Sequence, residues 1–186
     1  MSNEVAVKIA VKVIKQFEGL SLRAYPDPAS PLHRALGLHG MLKKYMDGAI
    51  LWDDLADNFK ALSGAPWTAG WGETQGVTKD TVYTLEEAES RLIKRVEGFM
   101  ADVLKVSPKL SNESADKLAA VTSLVYNIGI TNYRSSTVAK MIAAMNWVGA
   151  AAGILLWNKA GNPLKIVDGL DKRRKIEAAL FMSGVR

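Results

Sequence analysis

The sequence predicts an α+β fold that is mostly helical, with a small three-stranded antiparallel sheet ahead of a bundle of helices. Apolar residues recur at steps of three and four between Val5 and Phe17, and again along most of the chain after Thr84. This is the period of amphipathic helices. Segments 20–25 and 67–71 instead alternate apolar with polar residues, as half-buried strands do.

The length of 186 residues suits one domain, residues 1–186, and a composition of 48% hydrophobic and 23% charged residues is that of a globular protein. The expected parts, in chain order, are a first helix (4–18), a sheet lobe (19–83) that carries an inserted helical hairpin (31–62), and a helical lobe (84–186). The hairpin is predicted as two short helices joined by a turn at Asp47-Gly48. Residues 75–78 are the expected third strand.

The helical lobe carries boundary signals of its own. Thr84 and Glu87 have the spacing of a capping box at the start of a long helix. Gly129 marks the end of the following helix, for which Ser111 or Asn112 is the expected N-cap. Further helices are predicted at 136–145, 147–159 and 170–182.

Composition excludes several kinds of site. The chain has no cysteine and two histidines, so disulfides and thiolate chemistry are ruled out and a His-rich metal site is not expected. We therefore predict no metal and no cofactor. The net charge of +5 favours polyanionic partners such as nucleic acid, an anionic membrane or a cell-wall polymer. The basic residues are scattered and form no nucleic-acid recognition pattern, so we expect no nucleic acid, and a monomer.

The first seventeen residues lack the pattern of a signal peptide, because lysines interrupt every apolar run. The longest weakly polar run, residues 148–157, is too short to span a bilayer. These observations predict a soluble product that is made in the cytoplasm.

Two acids stand out near the start of the chain. Glu18 follows the first helix at a glycine, and Asp27 lies nine positions on between two prolines. Two carboxyl groups at the ends of one rigid segment suit general acid/base chemistry on a glycosidic bond. Taken singly, Glu18 is more often a frayed surface residue, and an aspartate between prolines such as Asp27 is by default a turn residue.

Five motifs in a fixed order give the acids a context. They are Glu-Gly-Leu at 18–20, Tyr-Pro-Asp at 25–27, Trp-Thr-Ala-Gly-Trp-Gly at 67–72, Tyr-Asn-Ile-Gly at 126–129 and Gly-Leu-Asp-Lys-Arg-Arg at 169–174. Together they resemble the phage-type lysozymes, glycoside hydrolase family 24, and specifically tailed-phage endolysins. The resemblance covers roughly four-fifths of the chain and implies a lysozyme-like fold.

The resemblance implies hydrolysis of the β-1,4 bond from N-acetylmuramic acid to N-acetylglucosamine in peptidoglycan. Glu18 would be the general acid, while Asp27 and Thr68 would hold the attacking water in an inverting displacement. The retaining alternative, in which Asp27 attacks directly, stays open. Further residues expected to contact substrate are Trp71, Glu73, Asn127 and Arg174. At least one of Arg173 and Arg174 is expected on a solvated face.

The chain departs from the family pattern at two points. Glu73 stands where the family has a histidine, and the insertion 31–62 is absent from short members. A lid, a wall contact and simple packing all fit the insertion. Asp53, Asp54 and Asp57 within it are expected on an ordinary solvated surface.

The resemblance also implies partners and a cellular location. We expect the protein to remain in the host cytoplasm until a separate holin releases it to the wall, and its basic C-terminal helix to be a possible contact with anionic membrane. The alternatives are a lytic transglycosylase that cuts the same bond and a non-catalytic protein that binds the wall or disrupts membranes.

Overall fold

The computed structural model describes residues 3–183, so both ends of the predicted domain, 1–2 and 184–186, lie outside the described residues. The chain forms two compact units. A helical unit consists of Met1–Phe17 with Ile93–Arg186, and a sheet unit consists of Glu18–Leu92. The predicted α+β class with a mostly helical chain is confirmed.

The helices are α1 (Asn3–Phe17), α2 (Pro31–Leu38), α3 (Leu42–Met46), α4 (Asp57–Lys60), α5 (Leu85–Val106), α6 (Ala115–Ile128), α7 (Ile130–Ser135), α8 (Thr137–Ala143), α9 (Trp147–Leu155) and α10 (Asp168–Ser183), with 3₁₀ turns at Trp52–Asp54 and Pro108–Asn112. The strands are β1 (Ser21–Pro26), β2 (Trp67–Gly70), β3 (Lys159–Ala160) and β4 (Lys165–Ile166).

The helical unit is built around α6, which packs against both α1 and α10. Every residue of α6 from Lys117 to Tyr126 is buried. The helix ends at Gly129, as predicted, where φ is +82° and a glycine carries no steric penalty. Its N-cap is Ser114, whose hydroxyl accepts a hydrogen bond from the backbone N–H of Lys117. The prediction of Ser111 or Asn112 is wrong, because both lie in the preceding 3₁₀ turn.

The helix α1 and the start of α5 both follow from the local sequence. In α1 the residues at three- and four-residue spacing are buried, among them Ala10 and Ile14, because burying one stripe stabilises an amphipathic helix. Thr84 and Glu87 form the predicted capping box ahead of α5, with reciprocal bonds of 2.8 and 3.1 Å.

The C-terminal part differs from its prediction in detail. The helix predicted at 147–159 ends at Leu155, and the residues after it form a two-stranded antiparallel hairpin of β3 and β4. The helix predicted at 136–145 begins at Thr137 and ends at Ala143, because Ser136 is its N-cap. The last helix begins two residues earlier than predicted, at Asp168.

In the sheet unit β1 pairs antiparallel with β2, with Tyr25 opposite Thr68 and Pro26 opposite Trp67. The predicted third strand at 75–78 is wrong, since those residues form a turn. The other edge of β1 is instead paired by residues 81–83. The backbone N–H of Ala24 donates to the Thr81 carbonyl, and that of Tyr83 donates to the Leu22 carbonyl.

The insertion is not a hairpin of two helices but four short helical pieces around a small core of its own. That core consists of Leu32, Leu36, Tyr45, Leu55 and Phe59. The predicted turn at Asp47-Gly48 is present, with a φ of +75° at Gly48. Two backbone hydrogen bonds close the base of the insertion, from Asp27 to Gly64 (3.0 Å) and from Leu32 to Ser63 (3.1 Å).

Candidate active site

Glu18 is the first residue after α1 and the first residue of the sheet unit. Its side chain is half-buried. The backbone of Gly72 approaches the carboxylate closely, since a β-carbon placed there would lie 4.0 Å from Glu18 Oε2. Gly72 also has a φ of +86°, where a side chain would be strained. The glycine therefore leaves space beside the acid and permits the tight turn after β2.

Asp27 lies directly after the last residue of β1 and is fixed by backbone contacts. Its Oδ1 accepts a hydrogen bond of 2.7 Å from the backbone N–H of Ala29, the pattern of an Asx turn. The backbone N–H of Ser30 donates a hydrogen bond of 2.8 Å to the backbone carbonyl oxygen of Asp27. The carboxyl group is half-buried, so it is oriented while remaining accessible to water.

Thr68 lies on β2 directly opposite Tyr25 of β1 and is 7% exposed. Directly opposed residues of an antiparallel pair project to the same face of the sheet. Because Asp27 follows β1 two residues after Tyr25, the strand pair brings Asp27 and Thr68 to the same end of the sheet. The sequence resemblance predicted both residues but gave no geometric reason for their proximity.

Tyr25 connects these residues to Glu18 electrostatically. Burial raises the pKa of the Tyr25 phenol, and the nearby negative charges of Glu18 and Asp27 raise it further. The phenol therefore stays neutral while it experiences both carboxylates. Tyr25 was not predicted as a site residue, because alternation along β1 marks it only as a strand position.

Glu73 stands at the position where the family pattern has a histidine, and its carboxylate accepts hydrogen bonds from the neighbouring backbone. Its Oε1 accepts hydrogen bonds of 3.0 Å from the backbone N–H groups of both Thr74 and Gln75. Its own backbone pairs with Ala69 across the turn, at 2.8 and 2.9 Å. The carboxylate thus braces the turn that contains Gly72. Trp71, in the same turn, is 7% exposed, and substrate contact by either residue stays a prediction.

Asn127 and Arg174 belong to the helical unit. Asn127 is exposed near the end of α6. Arg174 is completely buried, with Nε 2.9 Å from Glu177 Oε2 and Nη2 3.1 Å from Oε1. Substrate contact by Asn127 and Arg174 stays a prediction.

The expectation that Arg173 or Arg174 lies on a solvated face is wrong. Arg173 is 3% exposed and also pairs with Glu177, at 3.1 Å. Burial raises the pKa of Glu177, while Arg174, Arg173 and a hydrogen bond from Ser123 oppose that rise. The signal for this cluster was present in the sequence, since Glu177 follows the two arginines by three and four residues, the spacing of helix neighbours.

Asp53, Asp54 and Asp57 are exposed, as expected. Asp54 accepts a hydrogen bond from the backbone of Leu51. Within residues 3–183 no three or more His, Cys, Asp or Glu side chains group as metal ligands would. Over the same residues, no helix has both the length and the apolar character needed to span a bilayer.

A glutamate just after a helix, an aspartate at the end of a strand and a threonine on the adjacent strand are the residue types expected for a carboxylate-based hydrolytic site. The phage lysozyme family model matches residues 52–177. The chain belongs to the phage lysozyme family and is an enzyme of the lysozyme class. The matched segment contains Thr68 and begins after Glu18 and Asp27.

Individual relatives agree with this assignment. The chain is 36% identical over 122 residues to the endolysin of Acyrthosiphon pisum secondary endosymbiont phage 1, covering 63% of this chain and 80% of that protein. It is 35% identical over 136 residues to the endolysin of Salmonella phage P22, covering 68% and 88%. It spans about half the length of the Bacillus phage PZA endolysin, 54%, at 29% identity.

A solved structure extends the likeness to the whole fold. The endolysin from Escherichia coli O157:H7 phage FAHEc1 superimposes with a TM-score of 0.66 at 28% identity, covering 96% of this chain and 93% of that one. The predicted lysozyme-like fold is confirmed.

Proposed function

We propose that this protein is an endolysin that lyses bacterial cells by hydrolysing the β-1,4 bond between N-acetylmuramic acid and N-acetylglucosamine in peptidoglycan. The observation that supports it best is the strand pair. It places Thr68 opposite Tyr25, the one phenol in the described residues whose pKa is raised by both Glu18 and Asp27. Family membership supports peptidoglycan as the substrate.

Glu18 acts as the general acid and gives its proton to the glycosidic oxygen as that oxygen leaves. Its place beside the side-chain-free Gly72 leaves room for a sugar ring to approach. Asp27 accepts a proton from the attacking water, and the Thr68 hydroxyl hydrogen-bonds the same water. Inversion of this kind requires the carboxyl groups to be about 6.5–9.5 Å apart so that water fits between them.

Glu18→Gln tests this assignment, because the amide keeps the shape of the side chain and cannot donate the acid proton. We expect clearing of a peptidoglycan suspension to slow by about 10²–10⁴-fold, the usual contribution of general acid catalysis. Glu86→Gln makes the same chemical change at an exposed position of α5 in the same unit and should clear at the wild-type rate. Undiminished clearing by a folded Glu18→Gln protein would exclude Glu18 as the acid.

Membrane contact through the C-terminal helix is a second candidate function with weaker support. Three of the four basic residues of α10 are engaged in ion pairs, Arg173 and Arg174 with Glu177 and Lys175 with Asp171. We therefore expect Glu18→Gln protein to cause no dye uptake in cells whose outer membrane has been permeabilised. Uptake equal to that of the wild type would instead assign lysis to membrane disruption.

Release from the host cytoplasm through a separate holin completes the proposal. Expression with and without a membrane-holing protein tests it. We expect lysis only when both are made. Lysis by the endolysin alone would contradict the need for a holin.

A further inference from the structure

A groove of about 380 Å³ lies within the sheet unit, between β1 and the turn that follows α3. The strand side is formed by residues 20–23, among them Leu20 and Arg23. The insertion supplies the opposite wall with residues 46–48. Because three of the eight lining residues come from the insertion and form one whole wall, the groove exists only in a chain that carries this segment.

Arg23 is the charged group that sets the character of the groove. Its side chain is half-buried, and no residue between 3 and 183 forms an ion pair or hydrogen bond with its guanidinium. Burial raises the pKa of neighbouring Tyr45, and the positive charge of Arg23 opposes that rise. A guanidinium presents a planar fork of donors that suits a carboxylate.

Gly48 lets the turn approach the Arg23 side chain closely. A β-carbon at Gly48 would lie 3.1 Å from Arg23 Nε and 3.7 Å from Nη2. The φ of +75° at Gly48 also favours glycine. The turn of the insertion therefore packs closely on the guanidinium through the backbone of Gly48.

Two carboxylates close to Arg23 are each already paired with a lysine. Asp47, in the lining, pairs with Lys43 one helical turn away. Asp80, whose charge also reaches Tyr45, pairs with Lys79 at 2.7 Å. Arg23 is thus left as a positive charge that an incoming anion can meet. The exposed apolar side chains of Leu20, Leu22 and Val82 at the rim suit small apolar groups beside that anion.

We propose that this groove binds a carboxylate of a peptide branch of the glycan, and so gives the insertion a role in substrate selection. The inference rests on the proposed function, because it takes peptidoglycan as the substrate. Leu20 is two residues from Glu18, so the groove begins within about 7 Å of the acid, measured between α-carbons. A peptide branch on a sugar next to the cleaved bond reaches that distance.

Arg23→Gln tests the proposal on two substrates, peptidoglycan with intact peptide branches and glycan strands from which an amidase has removed them. We expect KM on the peptide-bearing strands to rise roughly tenfold or more, the loss of one charge-assisted pair, with kcat unchanged. On peptide-free strands the variant should match the wild type. Arg34→Gln is the matched control, since Arg34 is exposed on α2 of the insertion and outside the groove.

The results separate this inference from the proposed function. Wild-type protein that cleaves neither substrate would refute both. Wild-type cleavage of both, with Arg23→Gln indistinguishable from Arg34→Gln or impaired equally on both substrates, would refute the groove alone. If Arg23→Gln lowers the unfolding temperature, Arg23→Lys keeps the charge and the aliphatic stem. It should show a smaller rise in KM confined to peptide-bearing strands, and an equal change on both substrates would overturn the proposal.

Discussion

Acidic side chains are held in opposite ways in the two units of this protein. In the helical unit Glu177 is completely buried, on α10, and is paired with two arginines and Ser123. In the sheet unit Glu18 and Asp27 are half-buried, and both lie just after the end of an element. A carboxylate that must exchange a proton with substrate needs water and space, whereas a buried carboxylate needs partners. The difference predicts that Glu177 governs stability while Glu18 governs activity.

The largest expected effect on stability comes from Glu177→Gln. Removing the carboxylate leaves the charges of Arg173 and Arg174 buried without their partner, which costs about 3–5 kcal/mol when a buried pair is broken. Urea unfolding measures the loss. Glu4→Gln removes the exposed carboxylate that pairs with Lys8 and should leave the midpoint unchanged. Equal midpoints for the two variants would show that the buried cluster does not stabilise the helical unit.

A second prediction concerns alkaline pH. Burial raises the pKa of Tyr133 to about 12, against a small opposing effect of its hydrogen bond with Ser107. Because the folded protein favours the neutral phenol, the stabilisation is complete below the unfolded pKa of 10.0 and is lost as pH rises towards 12. The expected loss is about 3 kcal/mol.

Tyr133→Phe isolates this contribution. Other groups also titrate above pH 10, so the informative quantity is the difference in unfolding free energy between wild type and variant across that range. We expect the wild type to lose stability more steeply with pH than the variant. Parallel curves would contradict the assignment to Tyr133.

A smaller effect on stability is expected from Gly72→Ala in the sheet unit. A non-glycine residue at the φ of +86° costs roughly 1–2 kcal/mol. The added methyl group would also lie 4.0 Å from Glu18 Oε2, so activity should fall by more than this change in stability explains. Gly76→Ala is the control, with a φ of +70° and open space around the position. Equal losses of activity in the two variants would show that the space beside Glu18 is not used.

The comparison also shows what the sequence could predict. α1, the capping box of α5 and the end of α6 were predicted correctly, since each depends on residues close in the chain. The structure of the insertion was predicted incorrectly, because its four short helical pieces are stabilised by a shared core. The spacing of apolar residues along the chain does not reveal such a core. The third strand of the sheet was predicted at the wrong residues for a similar reason, since residues 81–83 pair with β1 through backbone groups alone.

Candidate residues for the site could be named from the sequence, but their arrangement could not. Glu18, Asp27 and Thr68 came from a family resemblance, and pairing of Tyr25 with Thr68 supplies the geometry that the resemblance lacked. For Arg174 the resemblance predicted a role in the site but not the environment of the side chain. Its place in the motif suggested contact with substrate, whereas its burial depends on Glu177 and on packing within the helical unit.

The most direct test of the central claim is the origin of the oxygen at the new reducing end of the product. Digestion of peptidoglycan in water enriched in heavy oxygen, followed by mass spectrometry, detects it. If Asp27 and Thr68 deliver a water to the bond that Glu18 opens, each product carries one heavy oxygen at its reducing end. Anhydro ends without heavy oxygen would contradict the account and make the protein a lytic transglycosylase.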